Sequence, residues 1–595
     1  MRVGHPSTLI MALGAPTKAP VRSNPATTAR MAAALVVMSA SKYARGKTVA
    51  EASPALRAAC FEASGIKNRH TDEAGAWRHA TGQLPPDNEH RSPGLGRATA
   101  NPWHDGHIGE YELSGSVSER DLNGKKQFSD PLIVRHVKRM IKRAVISTLA
   151  ILVGVSEVSA QSTSGSYSVP PPLSHPLEFP NACNAPTAST GHSFYVDPSV
   201  GSVNNNGSAN APWSTLSAVI SAGLFTSGTI KAGDTVYLRS GNHGSITLSG
   251  KNSDFITIAA DAGAAPVITS VNITGSKWIV KGLTIQSLGS TLVRVQSSAS
   301  NNIIVGNHIL SQHDVSSWTQ AEWQSNSSTA VAIDGQCTTI LNNNIENIRW
   351  GIRESADHGL IQGNTINNIA DDGVQVSASN ITIRGNRLTN FLDIEDGNHE
   401  DIIQAFNLSD SVVLHDITID SNIGISQTDP DLPFPNRDTH GITEFDGQWN
   451  NYNVINNVIV TNHWHGISIY GATNANLINN TVFGDNPSRV PWIGVFDSKT
   501  GAHPVNNIVR NNLASRYSHP ARGYIQDHNV AVSNPATAVV KFDTANHAFD
   551  LHLKAASPAI GAGTTIGAPG SDITGVTRVP PIDAGAYAYK SGPSP

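Results

Sequence analysis

Short runs of alternating apolar residues recur along the second half of this chain, and each closes on Asn followed by an apolar or β-branched position. The copies are NIIVGNHI, TTILNNNI, GLIQGNTI, NITIRGNRL, TIDSNIGI, NVINNVI, NLINNTV and NIVRNNL, which place the closing Asn at 307, 343, 364, 386, 422, 457, 480 and 511. Successive gaps are 36, 21, 22, 36, 35, 23 and 31 residues. A fixed short period with occasional longer steps is the mark of a solenoid, one coil per short gap and a coil plus an inserted loop per long one. Buried Asn suits the turns, because its side chain can bond the backbone and meet the Asn of the next coil about 4.8 Å away. Leu at fixed spacing, the signature of a leucine-rich repeat, is missing. The pattern predicts an all-β, parallel β-helix.

Between the Asn turns runs a second series: WGIRES (350–355), DGVQVS (372–377), DIIQAF (401–406), HGITEF (440–445) and HGISIY (465–470). Aligned as five stacked strands, the first column holds Trp350, Asp372, Asp401, His440 and His465. The fourth holds Arg353, Gln375, Gln404, Thr443 and Ser468, and the sixth holds Ser355, Ser377, Phe406, Phe445 and Tyr470. Strand period two puts the fourth and sixth columns on the outer face and the apolar third column inside. Glu354 and Glu444 then fall on the inward parity, and a bulge there is expected to turn them out. Two inserts, 392–400 and 426–439, are expected to wall the outer face.

The first 160 residues are different. KRMIKRAVISTLAILVGVSEVSAQ (138–161) sets basic residues before a short apolar run and a Val158-Ser159-Ala160 ending, which is the pattern of a secretory signal peptide. The apolar run is too short to span a bilayer, so no membrane insertion is expected. Residues 1–139 are Ala-, Arg- and Pro-rich without sustained periodicity, and the economical reading starts translation at Met140. The expected organisation is an extension over 1–139, a signal peptide over 140–160, a Pro/Ser-rich linker over 161–193, a β-helix over 194–535 and a closing segment over 536–595. The location would be secreted or periplasmic.

Charge divides at the same place. Residues 1–160 carry 21 Lys+Arg against 13 Asp+Glu, and residues 161–595 carry 20 against 33. An acidic body argues against a nucleic-acid partner, which needs Lys and Arg for phosphate. Seventeen of the 33 acids lie between 351 and 450, which points to a site. Cys183 and Cys337 could form one disulfide or stay as buried thiols. No Cys/His spacing suggests zinc.

Longer stretches sharpen the reading. FYVDPSVGSVNNNGSANAPWSTLSAVI (194–220), KAGDTVYLRSGNHGSITLSG (231–250) and LHLKAASPAIGAG followed by PIDAGAYAY resemble the opening strand with its capping helix, the first full coil and the closing segment of secreted right-handed parallel β-helix proteins. These form the pectin-lyase-like superfamily, and the resemblance spans about 194–588. It implies a right-handed solenoid acting on an acidic polysaccharide, expected as a monomer. The fold hosts several chemistries.

β-Elimination of a uronate glycoside needs a base for the C5 proton and neutralisation of the adjacent carboxylate. His440 and His465 are the candidate bases, with Lys499 in reserve. Asp372, Glu400 and Asp401 could bind a Ca²⁺ ion through hard oxygens, which the resemblance supports. Arg353, Gln375, Gln404 and His399 are candidate substrate contacts, and Phe406, Phe445 and Tyr470 a candidate stacking platform. The Gln pair could equally form a stabilising amide ladder. Asp in ADDG and DIEDG also makes turns through its side chain, and Asp371, Asp393, Glu395 and Asp396 are read that way. A glycoside hydrolase would instead pair Asp372 with Asp401, or Asp401 with Glu444. The Gly-His-Gly and Arg-x-Lys motifs of polygalacturonase-like relatives are missing, which lowers that reading. The lyases' Lys and Arg patterns are not cleanly present either. A C5-epimerase would begin with the same proton abstraction. A non-enzymatic glycan-binding β-helix would show a uniform polar ladder, which clustered acids and histidines do not make.

Overall fold

A computed structural model describes residues 177–591 apart from 181, 187–190, 408, 410, 411 and 519–523. The extension over 1–139, the signal segment over 140–160 and most of the 161–193 linker lie outside the described residues. Among the described residues three parallel sheets make up the solenoid, with 14, 12 and 11 strands. Each full coil contributes one strand to each, as in Leu360–Gln362, Thr365–Ile369 and Val374–Val376. We call these the first, second and third sheets, in the order the chain meets them.

The interior is built from columns of β-branched and aliphatic residues in strict register. Ile304, Ile340, Ile361, Ile383, Ile419, Val454, Leu477 and Val509 stack strand on strand along the first sheet, and all are fully buried. Each such side chain contributes roughly 1.5–3 kcal/mol of burial, and a parallel sheet covered on its inner face favours this composition. Helix Leu216–Ser221, capped by Thr215 accepting from Ala218 N, packs Leu216 and Val219 onto this core at its N-terminal end.

The turn between the first and second sheets explains the repeated Asn. Asn307, Asn343, Asn364, Asn386, Asn422, Asn457, Asn480 and Asn512 form a buried ladder. Asn307 Oδ1 accepts from Leu283 N (3.0 Å); from Asn343 onward each Oδ1 accepts both the backbone N–H and the side-chain amide of the Asn one coil earlier, and the ladder ends on Asn529. The residue just before each rung has positive φ, for example Gly363 at 68°, Asn456 at 56° and Asn479 at 56°. Gly and Asn tolerate that conformation with least cost. The last copy needs correcting. Asn511 is the left-handed residue, at φ 57°, and Asn512 is the rung.

Beyond Val530–Ala531 the chain forms an antiparallel strand pair, Val539–Asp543 with Ala548–Leu553, and then a tail of turns and bends. This closing segment lies along the second sheet: Ile425, Val458, Val460, Phe483 and Leu513 share a hydrophobic cluster with Leu551, Ile573, Ala584 and Tyr587. The left-handed turn residues hold it. Asn456 Oδ1 accepts from Arg578 (2.9 Å), Asn479 donates to the Asp583 carbonyl (3.0 Å), and Asn511 donates to that of Thr564 (2.8 Å). Cys183 and Cys337 are joined as a disulfide with a Cα–Cα separation of 5.4 Å, which pins the segment before the first strand to a mid-solenoid turn. No helix among the described residues is long and apolar enough to cross a membrane.

Candidate functional site

The third sheet carries the second sequence series. Its register aligns Arg353, Gln375, Gln404, Thr443 and Ser468 in one outward column, continued by Gly494. Arg353 is exposed, the two Gln are half-buried, and Thr443 and Ser468 are covered completely. Arg353 Nε donates to Gln375 Oε1 (2.8 Å), and Gln375 Nε2 donates to Asp372 Oδ2 (2.6 Å) and to Gln404 Oε1 (3.2 Å). The amides therefore form a ladder whose next member, Gln404 Nε2, donates to Asp401 Oδ2 (3.0 Å).

Asp401 is the hub. Its Oδ1 accepts from Thr443 Oγ1 (2.6 Å) and lies 3.2 Å from His440 Nδ1, and its Oδ2 lies 3.0 Å from His399 Nδ1. Asp401 N donates to Asp372 Oδ1 (2.8 Å), which locks neighbouring coils together. His440 sits among three further imidazoles, with ring centroids 4.7 Å from His399, 4.1 Å from His463 and 5.2 Å from His465. His465 Nδ1 contacts Ser468 Oγ at 3.0 Å, and the same hydroxyl accepts from Trp492 Nε1 at 2.8 Å.

The electrostatics sort these groups. Burial alone would raise the Asp401 carboxyl, but hydrogen bonds from His399 and His440 outweigh it and hold the group at about 2. That same bond lifts His399 to about 9, so it carries charge at neutral pH. Burial pushes His463 and His465 down to about 3, and both stay neutral. Asp372 is driven well up by burial and by the adjacent Asp401 charge. Burial raises Glu400 to about 9, and burial with nearby Asp396 raises Asp371 to about 7.

Several expectations change on this geometry. Glu444 is not an outer-face acid. It pairs in register with the core residues Ala405 and Ile469, is fully buried, and accepts from Tyr470 N at 3.0 Å. Glu354 likewise pairs with Ile333 and Val376 and stays inside. The bulge falls elsewhere, after Ala405, so that Phe406 meets Asp446 and not Phe445. Phe406 therefore leaves the aromatic platform, and Phe496, which the sequence series did not include, joins it. Phe445 lies 5.3 Å from Tyr470, which stacks on Phe496 at 4.8 Å, while Trp492 meets His465 at 5.1 Å. Burial keeps the Tyr470 phenol protonated above its ordinary range. Lys499 stands at the exposed rim, bonded to Asp446 at 2.7 Å.

The inserts do wall this face. Arg349 pairs with Asp396 at 2.6 Å and approaches Asp371 at 3.6 Å, and Asn398 also donates to Asp371. Asp371 and Asp396, taken from sequence as turn residues, thus anchor the first insert. Leu392, Ile394 and Leu432 from the two inserts pack with Val315, Trp318 and Trp323 in a separate small core.

Asp372, Glu400 and Asp401 do not fit a Ca²⁺ ion. Asp372 and Asp401 have both oxygens engaged in the contacts above, and Glu400 accepts from Asn436 of the second insert. All three are buried, and Asp372 and Glu400 favour the protonated form, whereas Ca²⁺ takes six to eight oxygen donors in ionised, open sets. The donors that converge within 4.8 Å here are instead His399, Asp401 and His440, and Asp438, His440 and His463. In place, Asp401 contacts His399 and His440, and Asp438 contacts His463. His463 is not among the candidates that the sequence offers; its place beside His440 depends on the 463–465 turn, which the strand alignment does not reach.

Residues 329–514 match the family described as right handed beta helix region. The solenoid is a right-handed parallel β-helix. Among solved structures it is similar to the pectate lyase Pel9A, at 17% identity over 68% of this chain and 97% of that one, with a TM-score of 0.37. A rhamnogalacturonan lyase is 13% identical over 63% of this chain and 97% of its own, with a TM-score of 0.34. An alginate lyase from Paenibacillus sp. str. FPU-7 is 15% identical over 57% and 99%, with a TM-score of 0.32. These likenesses concern the fold alone. No curated protein matches the sequence.

Proposed function

We propose that this protein is an exported enzyme that cleaves a uronate-containing polysaccharide by β-elimination on the outer face of the third sheet. One observation carries the reading: Asp401 binds two histidines, His399 and His440, at the end of the Arg353–Gln375–Gln404 ladder. His399, held protonated, and Arg353 supply cations for the substrate carboxylate. Asp401 orients His440 through Nδ1 and leaves Nε2 to accept a proton. Burial holds His465 neutral down to about 3, and it shapes the groove with Trp492.

In the step, the C5 proton moves to His440 Nε2 and the C5–H electron pair becomes the C4–C5 double bond. The C4–O bond breaks, and its oxygen takes a proton from the Tyr470 hydroxyl or from water. No Ca²⁺ takes part in this scheme. The hydrolase alternative rests on a specific observation too, because Asp372 is pushed towards the protonated form while Asp401 stays ionised, the division of labour a glycosidase needs. Against it, both carboxyls are buried with their oxygens already engaged.

The test follows ultraviolet absorbance of the unsaturated uronate end over a panel of uronate polysaccharides. The wild type is expected to generate it, equally with and without the Ca²⁺ chelator EGTA. His440→Ala is expected to lose on the order of 10²–10⁴ in rate, and His465→Ala much less. New reducing ends without absorbance would transfer the chemistry to Asp372 and Asp401. No product from any uronate polymer would sink the reading.

A further inference from the structure

Away from that face, His308, His313 and Glu346 bring three metal-ligating atoms within 4.8 Å of one another. His308 and Glu346 stand on neighbouring strands of the second sheet, His308–Leu310 and Asn344–Ile348, where Leu310 registers with Glu346. His308 Nε2 lies 2.7 Å from Glu346 Oε1, and the His308 and His313 rings are 5.3 Å apart. His313 comes from the loop between Leu310 and helix Gln320–Asn326. We infer that this trio is a binding site for a divalent transition cation of the Zn²⁺ class that fastens the 311–319 loop to the solenoid.

The donor types support the class. Two imidazoles and a carboxylate are a Zn²⁺ set, too nitrogen-rich for Ca²⁺ or Mg²⁺, and the fourth position would fall to water. Two donors about 2 Å from a tetrahedral ion stand roughly 3.3 Å apart, so the 2.7 Å His308–Glu346 contact has only to open by a small side-chain rotation. The loop is already held in place. Asn347 Nδ2 donates to the carbonyls of Gln312 (2.8 Å) and His313 (3.3 Å), and Asn368 donates to Asn347 Oδ1 (2.9 Å). His313 is thus presented to the two strand residues by a fixed backbone, which lowers the ordering cost of binding.

The loop also connects to the groove walls. Val315 and Trp318 leave it for the small core shared with Leu392, Ile394 and Leu432. Helix Gln320–Asn326 follows, and its Gln320 and Gln324 donate to the carbonyls of Asp393 (3.1 Å) and Ile394 (2.6 Å). A cation at His313 would therefore steady the support of both inserts without touching the chemistry, and the inference stands whether or not the proposed reaction does.

The purified full chain, stripped with EDTA, would be titrated with Zn²⁺ alone by calorimetry, with metal content read by mass spectrometry. One tight equivalent is expected, weakened at least about 100-fold in His313→Ala and retained in His399→Ala, which tests the converging set around His440. Zn²⁺ should also slow limited proteolysis within 311–319 in the wild type but not in His313→Ala. His313 is exposed, so equal melting temperatures of variant and wild type in EDTA would show that the variant folds; if it does not, His313→Gln replaces it. Absence of Zn²⁺ uptake by the wild type, or unchanged affinity in the folded variant, would overturn the site.

Discussion

Along the third sheet a single outward column runs through two very different halves. In the N-terminal half it holds Thr247, Asn272, Arg294 and Ala332, and its one charge, on Arg294, is exposed and paired with Asp334 at 2.6 Å. In the C-terminal half the same column holds Arg353, Gln375, Gln404, Thr443 and Ser468 and ends beneath four histidines and a ring of aromatics. The inward positions hardly differ: Val271, Val293 and Val331 in one half, Val374, Ile403 and Ile442 in the other. Burial dictates one side of each strand, whereas the outer side is free to vary. Inserts such as 392–400 and 426–439 then decide where it becomes a groove.

The largest test of this contrast removes the same side chain from each half. Arg353→Ala is expected to lower kcat/KM on a uronate polymer by about 10–100-fold, roughly 1.4–2.7 kcal/mol of transition-state binding, while Arg294→Ala leaves it unchanged. Equal losses would mean that the column binds substrate along its whole length. The ladder should show the opposite behaviour, since both halves share it. Asn343→Ala and Asn457→Ala each strand two donors and should cost a similar ~2–3 kcal/mol in chemical denaturation; a large inequality would break the claim that the scaffold is uniform.

The smallest effect concerns the inner side. Burial raises Glu354 well above the usual carboxylate range. A folded pKa above the unfolded one gives stability that is fully present below the unfolded value and is lost as pH rises through the folded one. Glu354→Gln removes that titration. It should melt with the wild type near pH 4 and about 2–4 °C higher at pH 8. Matching melting curves at both pH values would show that Glu354 does not stay protonated inside.

The solenoid repeat, the strand faces and the outward column were legible because period two and the repeated Asn are local signals. Asn511 shows the limit: in an Asn-Asn pair, either residue can take the left-handed position, and only the coil above decides. Phe406 departs from its expected column because of a bulge. A bulge shifts pairing by one residue without any mark in composition, and here it fell after Ala405. The inward Glu354 and Glu444 contradict ordinary burial preferences, so sequence favoured turning them out. The roles of His399 and His463 depend on how loops fold back onto a strand, which no strand alignment contains.

The closing segment bears on how the molecule comes apart. A solenoid whose coils touch only their neighbours can fray from either end, one coil at a time. Here a single continuous stretch of chain is tied to three successive turns by Asn456, Asn479 and Asn511, on the coils that carry His465, Trp492 and Tyr517. It works as a splint. Those coils cannot open singly without releasing the tail, so they should exchange their amide hydrogens as one cooperative block, and the groove inherits its stiffness from a strand of protein on the far side of the molecule's own wall.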